Sequence, residues 1–195
     1  MSMARRVAGT VILVIIIFIA TYLVYHGLFI GPKFTEEKRG PYYMVCEKHI
    51  GDYSKTAKVM DRIYFSLLNN EKIISTRGFG LYYDNPSEVD KKNLRSIVGC
   101  LLDGQYKDQI DQLKKKYRIE EFPASWCLAT AFPYRSELSI LMGVIKVYPK
   151  LNRIMEKKEY PQVPIMEIYD PNNGRIDYIA GINIDKKYYD DLIAK

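Results

Sequence analysis

The chain has 195 residues, 48% hydrophobic and 27% charged, with a formal charge of +6. This balance excludes a disordered, fibrous or collagen-like chain, and the length suits one domain of moderate size behind an N-terminal segment. Tyrosine dominates the aromatics, 17 against 7 Phe and 1 Trp, which points to a β-rich domain with polar-tipped aromatic surfaces.

Val7 to Ile30, VAGTVILVIIIFIATYLVYHGLFI, contains no charged residue. As a helix it would span ~36 Å, enough to cross a hydrocarbon core of about 30 Å with some tilt. A cleavable signal sequence has a shorter apolar run and ends in small residues. Here Tyr22, Tyr25 and His26 stand where such a site should lie. Residues 1–30 therefore read as an uncleaved single-pass anchor, with Tyr22 and Tyr25 as an interfacial aromatic belt. Arg5 and Arg6 before the span and Lys33, Lys38 and Arg39 after it leave its orientation open on charge alone. Cys46, Cys100 and Cys127 are an odd number without a pairing pattern, and Asn-x-Ser/Thr acceptors are absent. Both features favour a domain facing the reducing cytosol.

Residues 31–41, GPKFTEEKRGP, read as a short polar linker. The domain, 42–195, is then written twice. In the first repeat, 42–102, PYYMVCEKHI is a strand running into a Gly turn. Met60, Ile63, Tyr64 and Leu67 mark an amphipathic helix over Ser54–Asn70, with Ser54 as N-cap. FGLYYDNP and LRSIVGCLL are two further strands. Tyr106, Ile110, Leu113 and Tyr117 predict a connecting helix within 103–123. In the second repeat, 124–187, SWCLATAFPYRS is a strand. Leu138, Leu141, Ile145, Tyr148, Leu151, Ile154 and Met155 form a helical stripe with a kink or fresh turn expected at Pro149. VPIMEIYD, a Pro171-Asn172-Asn173-Gly174 turn and RIDYIAGINI complete a strand pair. Two β-α-β-β units predict an α+β fold: one largely antiparallel sheet with two long helices on one face, preceded by the membrane helix.

Glu167 is the anomaly, an acid inside an otherwise apolar strand. Alternation places Ile165, Glu167 and Tyr169 on one face. Matching Tyr83-Asp84 to Tyr169-Asp170 makes Phe79, Leu81 and Tyr83 their counterparts. Together they predict an aromatic groove holding one acid at the junction of the halves, with Tyr43 on the opening strand added. An unpaired buried carboxylate is costly or becomes protonated. Glu167 therefore either pairs internally, contacts a small cationic or apolar ligand, or serves as a catalytic acid or base.

The tandem plan resembles the GyrI-like, or effector-binding, domains of drug-sensing regulators. Gly51-Asp52-Tyr53, the run from Gly80 to Pro86, and Glu167-Ile168-Tyr169 carry the resemblance. It implies that Glu167 contacts cationic drugs in the cleft. Some relatives in that family resemble small hydrolases using the same acid. With the N-terminal anchor, Leu81 to Pro86, Ile97-Val98-Gly99 and Ala129 to Tyr134 are similar to the membrane-anchored, testis-expressed ER-phagy receptors of that family. That resemblance covers Val7 to about Tyr189, with Arg95, Ser139 and Pro149 also fitting. It implies an endoplasmic reticulum membrane protein and an adaptor for autophagy.

Those receptors carry a long disordered C-terminal tail whose acidic, aromatic motif adds a strand to the autophagy ubiquitin-like protein, and this chain ends at Lys195 without it. Tyr189-Asp190-Asp191-Leu192 has the aromatic-x-x-aliphatic form of such a motif. So does Phe65-Ser66-Leu67-Leu68, which lies in a helix. Tyr189, Asp190, Asp191 and Leu192 are thus the candidate partner motif.

The remaining signals carry little chemistry. Lys114-Lys115-Lys116 with Arg118 is the dense basic cluster, but no nucleic-acid module accompanies it, so no nucleic-acid partner is expected. The three cysteines lack zinc-site spacing, and His49 lies three residues from Cys46, on the opposite strand face. No phosphate loop or nucleophile elbow occurs, so no cofactor is expected. The expected function is a membrane-anchored binding and adaptor domain. A hydrolase using Glu167, or a ligand-binding tether without an autophagy role, are the alternatives.

Overall fold

A computed structural model describes residues 3–195. Helix α1 (Met3–Tyr25) opens the chain, followed by strands β1 (Thr35–Arg39) and β2 (Tyr42–Ile50). Helix α2 (Thr56–Ser66), β3 (Gly78–Tyr82) and β4 (Arg95–Leu102) complete the first repeat. A connection with the short helix α3 (Ile110–Leu113) and strand β5 (Ile119–Phe122) leads to β6 (Ser125–Pro133), α4 (Glu137–Lys157), β7 (Ile165–Asp170) and β8 (Arg175–Ala180). Helix α5 (Lys186–Ala194) ends the chain.

All eight strands join one antiparallel sheet in the order β1-β6-β8-β7-β3-β4-β2-β5. The order is palindromic: β2-α2-β3-β4 and β6-α4-β7-β8 are the two predicted repeats, and they meet where β3 pairs with β7. At that seam Gly78 faces Tyr169, Gly80 faces Glu167 and Tyr82 faces Ile165. A twofold-like relation therefore passes beside the Gly80–Glu167 pair.

Helices α2 and α4 cover one face, as the patterning predicts. Val59, Ile63 and Leu67 pack on Val45, Val98 and Cys100 in the first half. Val147 packs on Phe132, Ile176 and Tyr178, and Leu151 and Met155 pack on Leu128, Ile165 and Ala180, in the second. The opposite face buries Met44, Phe79, Leu81, Ile97, Met166, Ile168 and Ile179. Here α5 supplies the cover through Tyr189, Leu192 and Ile193.

Several expectations change. Ser54 does not cap α2: it lies in a 3-10 turn, Tyr53–Lys55, that leads into the helix and is itself capped by Asp52, whose carboxylate accepts from the Ser54 amide at 3.0 Å. Ser136 caps α4 by accepting from Leu138 N at 3.2 Å. Helix α4 runs unbroken through Pro149. The connecting helix shrinks to a 3-10 turn, Gly104–Gln109, and α3. Its apolar stripe still packs on the α2 side, because Ile110 and Leu113 need only one helical turn to reach the sheet. The expected linker contains an edge strand: Thr35 to Arg39 pairs with Ala129 to Ser125.

Helix α1 is likewise not on a loose tether. His26 is 3% exposed, with Nδ1 2.9 Å from Ser139 Oγ and 3.1 Å from Ser136 Oγ at the head of α4. Arg135 donates to the Tyr25 carbonyl and lies over the Tyr25 ring at 4.1 Å. Lys146 donates to the Leu28 and Ile30 carbonyls, and Lys150 to Pro32 O at 2.8 Å. Cations thus satisfy the carbonyls left open at and just beyond the C-terminal end of α1.

The partner motif is overturned. Tyr189 to Leu192 lies in α5, with Tyr189 1% and Leu192 2% exposed, while Asp190 and Asp191 face solvent. Strand addition needs an extended backbone and exposed anchors; both anchors here are core residues. We expect Leu192→Ala to lower unfolding free energy by about 2–4 kcal/mol, a cavity cost, read as a fall in the urea midpoint. An unchanged midpoint would mean that α5 is not part of the core.

Candidate functional site

Strand β7 carries Glu167 to the centre of the helix-covered face, with Gly80 of β3 on one side and Tyr178 of β8 on the other. Glu167 is 3% exposed. Both carboxylate oxygens accept from phenols: Tyr148 of α4 donates to Oε1 at 2.6 Å, and Tyr169 donates to Oε2 at 2.8 Å. Since Tyr169 spends its proton on the carboxylate, Tyr82 donates to the Tyr169 hydroxyl, at 3.0 Å. Thr56 Oγ1 lies 3.4 Å from the Tyr82 hydroxyl, carrying the chain of polar groups to the start of α2.

The halves contribute equivalent rings. Tyr82 and Tyr169 are mates under the seam symmetry. Each meets the tyrosine that precedes a helix: Tyr53–Tyr82 at 4.7 Å between centroids and Tyr134–Tyr169 at 6.2 Å. The mate of Glu167 is Gly80, and a Cβ there would lie 2.5 Å from the Tyr82 ring. Glycine at this position lets that ring fold back over the seam. Gly143 of α4 does the same for Tyr178, whose hydroxyl would meet a Cβ at 2.3 Å. That hydroxyl is buried without a hydrogen-bond partner among the described residues.

The electrostatics follow from this burial. Desolvation raises the Glu167 pKa above its ordinary 4.5, and the bonds from Tyr148 and Tyr169 oppose the rise. Burial and then the Glu167 charge hold Tyr148 and Tyr169 well above the usual phenol value. Tyr53, at the rim, is pushed up to about 12, chiefly by burial. Tyr148 and Tyr169 are neutral donors at neutral pH, so they hydrogen-bond the carboxyl group without supplying a countercharge. No Lys or Arg among the described residues pairs with it. The arrangement suits a cation, with aromatic faces for apolar or cation–π contact. The buried thiols Cys46 and Cys100 are pushed up to about 12 and Cys127 to about 11, all by burial, so they stay protonated.

Of the residues expected in the groove, Glu167 and Tyr169 come together. Leu81 and Tyr83 lie on the other face: Leu81 pairs with Met166, and the Tyr83 hydroxyl donates to Tyr189 O at 2.9 Å. The cause is a one-residue register error. Aligning the letters Tyr-Asp made Tyr83 the match of Tyr169, whereas the pairing makes it Tyr82, and a slip of one residue reverses the face. Tyr43 shares the helix-covered face but packs with the α2 cluster, opposite Glu121 of β5. The missed residues are Tyr148, Tyr82, Tyr53, Tyr134 and Tyr178. Tyr53 and Tyr134 each stand just before a long helix and Tyr148 lies in the apolar stripe, but nothing local marks them as one cluster. The expected open groove is filled by these side chains.

This is the fold of the GyrI-like, effector-binding domains. The C-terminal domain of EcmrR superposes with a TM-score of 0.54 at 14% identity, covering 77% of this chain and 96% of that one. In sequence, the chain is similar to testis-expressed protein 264 of Homo sapiens, 30% identical over 127 residues, and to its Mus musculus homologue, 28% identical over 127 residues. Each alignment takes in 62% of this chain and 39% of the relative, so the chain spans well under half of these longer proteins. No protein-family model matches the chain.

The buried acid makes a pH prediction. Its folded pKa lies above the unfolded 4.5, so its contribution to stability is fully present below pH 4.5 and is lost as pH rises through the folded value. We expect the wild-type melting temperature to fall across that window and Glu167→Gln to flatten the dependence. Parallel curves for the two proteins would show that burial does not set this acid's titration.

Proposed function

We propose that the chain is a single-pass protein of the endoplasmic reticulum membrane whose cytosol-facing domain is a binding and adaptor module. The cleft between α2 and α4 takes an aromatic or apolar cation, free or on a partner. One observation carries the binding role: a buried carboxylate at the seam of two repeats, surrounded by tyrosines and without a cationic partner among the described residues. Occupation requires Tyr82 to swing away from Gly80, since its ring covers the seam. Incoming positive charge would then replace phenol hydrogen bonds by an ion pair in a desolvated site, where such pairs are strong.

Support for the membrane role comes from α1, a 23-residue helix whose most apolar 18-residue window has a mean hydropathy of 2.8 and none of its residues buried in the domain. The reticulum and an adaptor role in ER-phagy are proposed from the resemblance to the membrane-anchored receptors, and the cytosolic orientation from three free cysteines. With Tyr189 and Leu192 in the core, a recruiting segment for the autophagy ubiquitin-like protein would have to lie elsewhere than α5.

Two measurements test the reading. Calorimetric titration of the full chain in nanodiscs with tetraphenylphosphonium should show saturable binding, weakened at least about tenfold by Glu167→Gln. Equal affinity in both proteins would remove the acid from the site. Protease added outside intact microsomes should digest the domain; a protected domain would place it in the lumen.

A further inference from the structure

Helix α4 carries a second pattern that the cleft does not use. Lys146, Lys150, Arg153 and Lys157 recur at i, i+4, i+7 and i+11, so they align as one basic ridge along the helix. The ridge has two parts. Lys146 and Lys150 hold the carbonyls of Leu28, Ile30 and Pro32 in the segment leaving α1. Arg153 and Lys157 are exposed and form no ion pair among the described residues.

Beside this second part lies a groove of about 510 Å³ between α4 and the β1–β6 edge of the sheet. Its floor is apolar: Phe34, Leu128 and Ile154. Its rim is basic: Lys150, Arg153 and Lys157. One carboxylate, Glu36, reaches it and is neutralised by Lys158, with Tyr160 donating to it at 2.8 Å. The rim therefore keeps a net positive charge next to hydrocarbon.

We propose that this groove binds the phosphate headgroup of an anionic phospholipid, with the first carbons of its acyl chains on Phe34, Leu128 and Ile154. Two features favour a lipid over an acidic peptide or a soluble phosphate. The lining is amphiphilic in the way a phospholipid is, phosphate contacts directly beside an apolar floor. The groove is also tied to α1: Lys150, a rim residue, bonds to Pro32, and a fully extended chain from Tyr25 to Pro32 reaches at most about 25 Å. A basic rim held that close to a bilayer is drawn to anionic lipid. The inference rests on α1 being the anchor.

The test is native mass spectrometry of the detergent-solubilised full chain with added phosphatidylserine, phosphatidylcholine or inositol hexakisphosphate. Wild type should retain phosphatidylserine adducts at least about tenfold more than phosphatidylcholine adducts, and the double variant R153E/K157E should lose that preference. Both substitutions lie on exposed positions, and an unchanged circular dichroism melt confirms the fold. Equal adducts with both lipids, or a preference that survives in the variant, overturns the proposal. Inositol hexakisphosphate binding that matches the lipid at equal concentration assigns the groove to soluble anions and also overturns it. Alkaline carbonate extraction of membranes separates the two premises. A chain released by carbonate sinks the anchor and this lipid source with it, whereas a retained chain without lipid preference sinks the groove alone.

Discussion

A carboxylate held in the interior by two neutral phenols is the constraint around which this domain is organised. Moving an ionised acid out of water costs several kcal/mol even after relaxation, and hydrogen bonds from Tyr148 and Tyr169 recover only part of it. The donors come from different elements, α4 and β7, and Tyr82 links them to the other repeat. The network thus joins both halves at the point where the sheet has its twofold-like relation. An apolar residue at 167 would satisfy the strand but leave the Tyr148 hydroxyl and the Tyr169–Tyr82 pair without their common acceptor.

The glycine opposite this acid shows why the two halves can be alike in plan and unlike in chemistry. Symmetry would put a second side chain at position 80, directly across from Glu167. Glycine there gives the space to the Tyr82 ring. One half therefore supplies charge and the other supplies the Tyr82 ring that covers it, so the seam is both a structural join and a buried polar site. The same helix that donates Tyr148 receives the end of α1 on another side, through Ser136, Ser139, Lys146 and Lys150. The buried acid's network and the exit from α1 thus share α4.

Much of this was legible in the residues. The apolar run of α1, the β-α-β-β order written twice and the apolar stripes of α2 and α4 follow from periodicity, since burial of one helix face and one strand face repeats at 3.6 and 2. Glu167 stood out because a charge in such a strand has no local explanation. The two-sided cover of the sheet was not legible: Lys186 to Ala194 offers only Tyr189, Leu192 and Ile193 to a core, too few for its short helix to stand out from a motif with an acidic centre.

By itself, then, the sequence determined the strands and long helices of the two repeats, their tandem order and the anomalous acid at 167, because each is encoded by spacing along the chain; β1, β5 and α5 carry too little pattern to be read that way. Tertiary structure alone decided which tyrosines meet that acid, which face Leu81 and Tyr83 occupy, and how the exit from α1 is fastened. Those outcomes depend on strand register and on contacts between residues as far apart as Tyr82 and Tyr169 or His26 and Ser139. A one-residue difference in pairing reverses a whole strand face while leaving the local pattern almost unchanged.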